Sequence, residues 1–149
     1  MSIIRITKEF KFEMAHALKG YIGPCRNIHG HSYELFVTVK GEPVNNPGSS
    51  DNGMVIDFKL LKSIVRENII DLYDHALVLH KDSAALINDE SRELYGKLVT
   101  VEYQPTSENL LIYFAEVLKQ KLPNTVKLHS LFLRETVTSF AEWFAEDNE

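Results

Sequence analysis

The chain of 149 residues has little of what marks several common protein classes. It contains one cysteine, which excludes an intramolecular disulfide framework and favours a reducing compartment. It also lacks an apolar run long enough to cross a membrane and the short apolar segment of a secretory signal peptide. We therefore expect a cytoplasmic protein with no membrane partner.

Neither sign of charge is in large excess. The chain has 21 acidic and 16 basic residues, interspersed along its length, for a net charge of -5. This composition argues against a general nucleic-acid surface, although it leaves room for a local basic pocket that binds a small anion. With 44% hydrophobic residues, the chain is long enough to bury its own core, and we expect a single domain over residues 1–149.

Residues 25–33 carry most of the chemistry. His29 and His31 are two positions apart at the start of an alternating apolar segment, and side chains two apart in a strand share one face. The two imidazoles can therefore share a metal ion. Apolar side chains continue that face at Tyr33, Leu35, Val37 and Val39. A His-x-His pair is common without a metal, so the spacing needs support from elsewhere.

A third histidine ends another predicted strand. From Ile4 to His16 apolar even positions alternate with polar odd positions, and the glycines and proline of residues 17–24 predict a turn that folds the next strand back. Three imidazoles suit zinc and leave a fourth position open, as in catalytic sites. Cys25 as a fourth ligand would instead give a closed structural site, and both alternatives stay open.

Two amphipathic helices are predicted further along the chain. Asp57 can cap a helix that ends near Tyr73, and Thr106 can cap a second helix that stops before Pro123. Short strands are predicted over residues 54–56, 98–103 and 126–138, a helical excursion over 81–97, and an exposed connection over 41–53.

Acidic residues add two candidate functions. Asp74 directly precedes His75 after the first predicted helix. Such a pair is often only a solvated surface pair. A histidine oriented by a carboxylate can also relay protons to and from a cysteine base. Glu135 lies within the last predicted strand, where a buried carboxylate could bind the N–H edge of a heterocycle. His80 and His129 have no comparable neighbouring residues in the sequence, and no role is assigned to them.

Six motifs occur in one order along the chain. Because of these motifs and their order, the sequence resembles the 6-pyruvoyl-tetrahydropterin synthase / 6-carboxytetrahydropterin synthase family over nearly its whole length. The motifs are Phe-Glu-Met-Ala-His at 12–16, Cys-Arg-Asn-Ile-His-Gly-His-Ser at 25–32, Met-Val-Ile-Asp-Phe at 54–58, Asp-His at 74–75, Pro-Thr-Ser-Glu-Asn at 105–109 and Arg-Glu-Thr at 134–136.

The resemblance implies an α+β tunnelling fold, in which an antiparallel four-stranded sheet carries two helices on one face. It further implies a homo-oligomer: trimers complete a barrel, two trimers stack as a hexamer, and active sites lie between subunits. Site roles follow from the resemblance in the same way. His16, His29 and His31 are implied Zn2+ ligands. The implied catalytic residues are Cys25 as general base, Asp74 and His75 as proton relay, and Glu135, which also anchors the pterin. Thr106, Ser107 and Glu108 are implied to lie near the pterin.

The implied substrate is 7,8-dihydroneopterin triphosphate. Three residues separate Cys25 from His29, which is similar to the bacterial 6-carboxytetrahydropterin synthases of queuosine biosynthesis and predicts release of acetaldehyde and triphosphate. The alternatives are a 6-pyruvoyl enzyme of tetrahydrobiopterin synthesis, a non-catalytic pterin- or zinc-binding member, and an unrelated protein with a closed zinc site. Residues 80–103 form a longer segment than the compact bacterial members carry, and no role is assigned to it.

Overall fold

Two long antiparallel strands form the centre of the computed structural model, which describes residues 1–149. β1 (Ile4–His16) pairs with β2 (His29–Gly41) along its whole length, from Ile4 opposite Gly41 to His16 opposite His29. The alternation of the sequence sets the faces of both strands: the inner face is buried from Phe10 along β1 and from Tyr33 along β2. The predicted strands and the turn between them are confirmed.

The sheet has six strands in the order β4-β3-β1-β2-β5-β6, where four antiparallel strands were expected. Besides β1 and β2, the sheet contains β3 (Ala76–His80), β4 (Leu98–Val101), β5 (Lys127–Thr136) and β6 (Ser139–Phe144). β3 runs parallel to β1 and β4 runs parallel to β3, whereas the other pairs are antiparallel. The expected sheet was therefore too small, and it lacked the parallel pairs.

Three predicted strands need correction. The strand predicted over 126–138 ends at Thr136, and the chain turns back through residues 137–138 into β6. The strand predicted over 98–103 ends at Val101. The strand predicted over 54–56 is wrong: Val55 and Ile56 are buried in the core without joining the sheet, so their apolar character reflects packing rather than strand pairing.

Both predicted helices are confirmed with their caps. The first segment consists of α1 (Phe58–Val65), a π-helical turn (Arg66–Ile70) and α2 (Asp71–Tyr73), and the Asp57 carboxylate accepts a hydrogen bond from the Lys59 amide at 2.8 Å. A short α3 (Lys81–Ala84) and a 3-10 turn (Asp89–Leu94) form the predicted excursion. α4 (Ser107–Lys121) is capped by Thr106. None of these helices has the length and apolar character needed to span a membrane.

The core lies between the inner face of the sheet and the long helices. Leu61 and Val65 of α1 and Leu110 and Phe114 of α4 are fully buried against the sheet. At one end of this layer the apolar residues of the inner face give way to histidines. This end of the core positions the candidate site.

Candidate metal centre and active site

The register of the sheet brings three histidines together. His16 and His29 are direct partners in the pairing of β1 with β2, and His31 lies two residues along on the same face. The Nε2 atoms of His16 and His29 are 3.1 Å apart, and the ring centroid of His31 lies 5.2 Å from that of His16 and 5.0 Å from that of His29. One chain therefore supplies three convergent imidazoles.

Glu135 completes the group, although the sequence analysis assigned it to catalysis and the pterin and not to the metal. Its Oε1 atom lies 2.9 Å from Nε2 of His31 and 3.6 Å from Nε2 of His16, while its Oε2 atom accepts a hydrogen bond from Ser107 Oγ at 2.8 Å. One donor atom from each of the four side chains lies within 4.8 Å of the other three. We call His16, His29, His31 and Glu135 the histidine–glutamate cluster.

A strand irregularity accompanies Glu135. The pairing of β5 with β6 shifts register between Arg134 and Thr136, so an extra residue is accommodated at this point. Such bulges bend a strand and redirect a side chain. Glu135 also continues the inner face of Leu131 and Leu133, both fully buried. Strand alternation and the local bulge together place its carboxylate at the histidines.

Backbone carbonyls fix the orientation of two of the rings. Nδ1 of His16 lies 2.7 Å from the carbonyl oxygen of Pro105, and Nδ1 of His29 lies 2.7 Å from that of Asn27. A carbonyl only accepts, so each Nδ1 donates to its carbonyl, and the Nε2 atoms of His16 and His29 face each other. Sequence reasoning missed both carbonyls, because a backbone acceptor leaves no mark on residue type.

The electrostatics of the cluster favour neutral imidazoles. Burial lowers the pKa of His16, and the neighbouring histidines lower it further, against the opposing effects of the Pro105 carbonyl and Glu135. Burial also lowers the pKa of His31, while Glu135 acts to raise it. Neutral imidazole is the form that binds metals, so these rings are prepared for a cation near neutral pH.

The donor set fits a divalent metal ion. Nε2 of His16 and Nε2 of His29 face each other while their Nδ1 atoms donate to carbonyls, and Nε2 of His31 is buried without a hydrogen bond of good geometry, despite its proximity to Glu135. Buried acceptors in this arrangement are costly unless a cation satisfies them. Three imidazole nitrogens and one carboxylate oxygen suit Zn2+ or a similar first-row ion.

Cys25 lies outside the histidine–glutamate cluster. It is half-buried in a short 3-10 turn (Pro24–Arg26), where its carbonyl accepts a hydrogen bond from the Leu18 amide at 3.0 Å. Its thiol is not among the four groups that converge. In this structure the fourth position near the histidines belongs to Glu135, so the closed site built with Cys25 has no geometric support.

Asp74 and His75 also lie apart from the cluster, at the edge of the sheet, and we call them the edge pair. Asp74 Oδ1 accepts a hydrogen bond from the Glu13 amide at 2.9 Å and lies 3.0 Å from His75 Nδ1. Desolvation acts to raise the pKa of Asp74, but these two contacts and the charge of Lys97 bring it below its ordinary value. The His75 side chain is 77% exposed, so nothing within the chain covers it.

The predicted pterin-binding residues Thr106, Ser107 and Glu108 differ in their burial and contacts. Ser107 is buried and donates to Glu135. The Thr106 hydroxyl is used as the cap of α4, where it accepts a hydrogen bond from the Asn109 amide, and Glu108 is exposed. Tyr33, which the sequence analysis placed in the core, also lies near the site. Its hydroxyl is buried without a hydrogen-bond partner, and burial together with nearby Glu135 raises its pKa.

Comparison with known proteins decides the family. The family model described as 6-pyruvoyl tetrahydropterin synthase matches residues 5–146. The chain belongs to this family. Two relatives named 6-carboxy-5,6,7,8-tetrahydropterin synthase are each 36% identical to it. The protein from Haemophilus influenzae aligns over 143 residues, or 95% of this chain and 99% of its own, and that from Synechocystis aligns over 141 residues, or 94% and 92%.

Solved structures share the fold. An uncharacterized Wolinella succinogenes protein superposes with a TM-score of 0.77 at 25% identity, covering 97% of this chain and 99% of its own. The 6-pyruvoyl tetrahydropterin synthase of Caenorhabditis elegans gives a TM-score of 0.69 at 25% identity, covering 97% of each chain. The predicted family and the α+β tunnelling fold are confirmed.

Proposed function

We propose that the protein is a zinc-dependent 6-carboxy-5,6,7,8-tetrahydropterin synthase. In this proposal 7,8-dihydroneopterin triphosphate and one water are converted to 6-carboxytetrahydropterin, acetaldehyde and triphosphate, in the queuosine or 7-deazapurine route. The observation that carries it is the histidine–glutamate cluster, which sits at the end of the core in a chain of this family. The names of the 36% identical relatives support the 6-carboxy product.

His16, His29 and His31 hold the metal in this proposal, through their Nε2 atoms. The facing Nε2 atoms, and the carbonyls that fix two of the rings, support the assignment. When bound, Zn2+ supplies Lewis acidity that polarises the side-chain oxygens of the substrate.

Glu135 anchors the pterin ring by accepting hydrogen bonds from its N–H edge. Ser107 supports this role because it fixes the carboxylate by donating to Oε2 at 2.8 Å, while Oε1 faces the histidines. Thr106 acts by capping the helix that carries Ser107. Glu108 contributes near the ring only at the exposed rim, since its side chain lies outside the cluster.

Cys25 removes a proton from the substrate side chain as a thiolate, and triphosphate then leaves. His75, oriented by Asp74, moves protons for this step. The edge pair is exposed and is not among the four groups that converge, and in this proposal it enters the site of a neighbouring subunit.

The sheet edges support such an assembly. β3 pairs only with residues 14–16 of β1 and the Glu13 backbone bonds to Asp74 and His75, so residues 4–12 of β1 present a free edge, and β6 presents another. Apolar side chains are exposed at these edges, including Ile4 and Phe140. Free edges of this length are templates for pairing with another chain. We propose a homo-oligomer whose subunits join sheets into a barrel, as a hexamer of two trimers.

The test is incubation of the zinc-loaded protein with 7,8-dihydroneopterin triphosphate, followed by mass spectrometry of the pterin and an acetaldehyde assay. A 6-carboxy product with acetaldehyde is the expected result. A 6-pyruvoyl product would favour the second candidate, which the family model and the C. elegans structure support. No turnover would leave a non-catalytic pterin-binding member.

A further inference from the structure

The segment between β3 and β4 has no role in the function proposed above. Its last residues, 94–97, line a cavity of about 450 Å3 together with Glu13, Ser32 and His75. This cavity lies beside the edge pair, and its lining also includes His31 of the histidine–glutamate cluster. The segment therefore contacts the surroundings of His75 directly.

Lys97 is the residue of this segment that reaches the edge pair. Its Nζ atom donates hydrogen bonds to the carbonyl oxygens of Asp71 and Asp74, each at 2.7 Å. Its own carbonyl accepts a hydrogen bond from the Leu77 amide at 2.9 Å. Lys97 thus holds the chain on both sides of His75, at the end of α2 and at the start of β3.

The turn that Lys97 holds has an unfavourable backbone. His75 is the one non-glycine residue of the chain with a positive φ, at 60°. A residue with a Cβ keeps this conformation only when its surroundings enforce it. The Glu13 backbone enforces it from β1, where its amide donates to Asp74 and its carbonyl accepts from the His75 amide at 2.5 Å. Lys97 supplies the restraint from the other side.

The chemistry of the contact suits a fixed restraint rather than a surface ion pair. Carbonyl oxygens at the end of a helix carry partial negative charge, and an ammonium group with three donors can bond two of them at once. Both bonds end on backbone atoms, so they fix the course of the chain and not only a side chain.

We propose that Lys97 is a positioning residue, which holds the turn of Asp74 and His75 so that the imidazole of His75 projects from the sheet edge in a fixed orientation. The inference rests on the proposed function, in which His75 relays protons. It also gives residues 80–103 a purpose, because this segment delivers the lysine.

The first test is a steady-state comparison of variants. Lys97→Met removes the charge and the donors at similar length, and we expect kcat to fall roughly tenfold to a hundredfold with little change in KM or metal content. Lys97→Arg keeps a cation with several donors and restores most of kcat. Lys81→Met is the matched control on the same segment, since Lys81 makes only an exposed ion pair with Glu102 at 3.6 Å, and it leaves kcat unchanged.

The second test needs no turnover. In nuclear magnetic resonance spectra of the ligand-free protein, Lys97→Met shifts the His75 ring signals and speeds exchange of the His75 amide, whereas Lys81→Met does neither. Unchanged His75 signals, or an unchanged kcat, would overturn the inference. If Lys97→Met does not fold, Lys97→Gln replaces it, and wild-type His75 signals in that variant would make Lys97 a structural cap only. If the wild type shows no turnover, the proposed function fails, and the spectra still decide the role of Lys97.

Discussion

The histidine–glutamate cluster and the edge pair lie near the same end of β1 but differ in burial. His16 is 1% exposed and its partners converge within one chain, whereas His75 is 77% exposed and stands alone at the sheet edge. Burial lowers the pKa of His16 and His31. The edge pair is oriented by backbone contacts with Glu13 and Lys97.

This difference separates two kinds of function. A metal site needs several ligands held together before the ion arrives, and a buried inner face provides that arrangement within one subunit. A proton relay needs an accessible imidazole, and an exposed edge provides it to a neighbour. The metal site should therefore form in an isolated chain, whereas the proton relay should depend on assembly.

The largest effect should come from removing a buried ligand. His16→Ala is expected to abolish turnover and to weaken zinc binding on the order of a thousandfold, because the remaining ligands cannot enclose the ion. Competition with a chelator measures the affinity. His129→Ala is the matched control, since His129 is also buried but lies outside the cluster, and it should keep its zinc. Equal zinc affinity in both variants would contradict the assignment.

Cys25→Ala should break the chemistry and leave the metal. Loss of the base is expected to lower kcat on the order of a thousandfold, with zinc content and melting temperature near those of the wild type, because the thiol is outside the cluster. Metal analysis and thermal unfolding check this together with the turnover assay. Release of zinc from this variant would restore the closed structural site as the better account.

A mixing experiment sharpens the comparison between the two regions. His75→Ala is expected to lower kcat roughly tenfold to a hundredfold. Co-refolding this variant with Cys25→Ala should restore activity in about a quarter of the sites. In those sites one subunit supplies an intact cysteine and its neighbour supplies an intact histidine. Activity of the mixed oligomer against each variant alone measures the recovery. No recovery would mean that the site lies within one chain.

The smallest effect concerns pH. The pKa values of His16 and His31 lie below 6.5 in the folded state, so the unfolded chain binds more protons as the pH falls. The metal-free protein should therefore lose stability as the pH falls through about 6.5, by a few degrees in melting temperature. His16→Asn should reduce the slope. A metal-free wild type whose stability is constant between pH 7.5 and 5.5 would contradict the burial of neutral imidazoles.

The sequence predicted the parts of the site that depend on long amphipathic strands. β1 and β2 alternate over their whole length, and the turn between them has glycine and proline, so His16, His29 and His31 could be brought together from pattern alone. The helix caps Asp57 and Thr106 could also be predicted from the sequence, because their side chains accept hydrogen bonds from amides close in sequence.

Other features depend on contacts that residue type does not record. β3 is buried at four successive positions, as parallel strands often are, and so it shows no alternation. The turn at residues 137–138 lacks glycine, proline and asparagine, which concealed β6. Glu135 reaches the histidines with the help of a bulge beside that turn, and the edge pair is placed by the backbone of Glu13.

The central claim is that one chain builds a metal site from His16, His29 and His31 without Cys25. X-ray absorption spectroscopy of the zinc-loaded, ligand-free protein tests it most directly. We expect one zinc per chain with only nitrogen and oxygen neighbours, at about 2.0–2.1 Å. A sulfur neighbour at about 2.3 Å would place Cys25 on the metal and contradict the account.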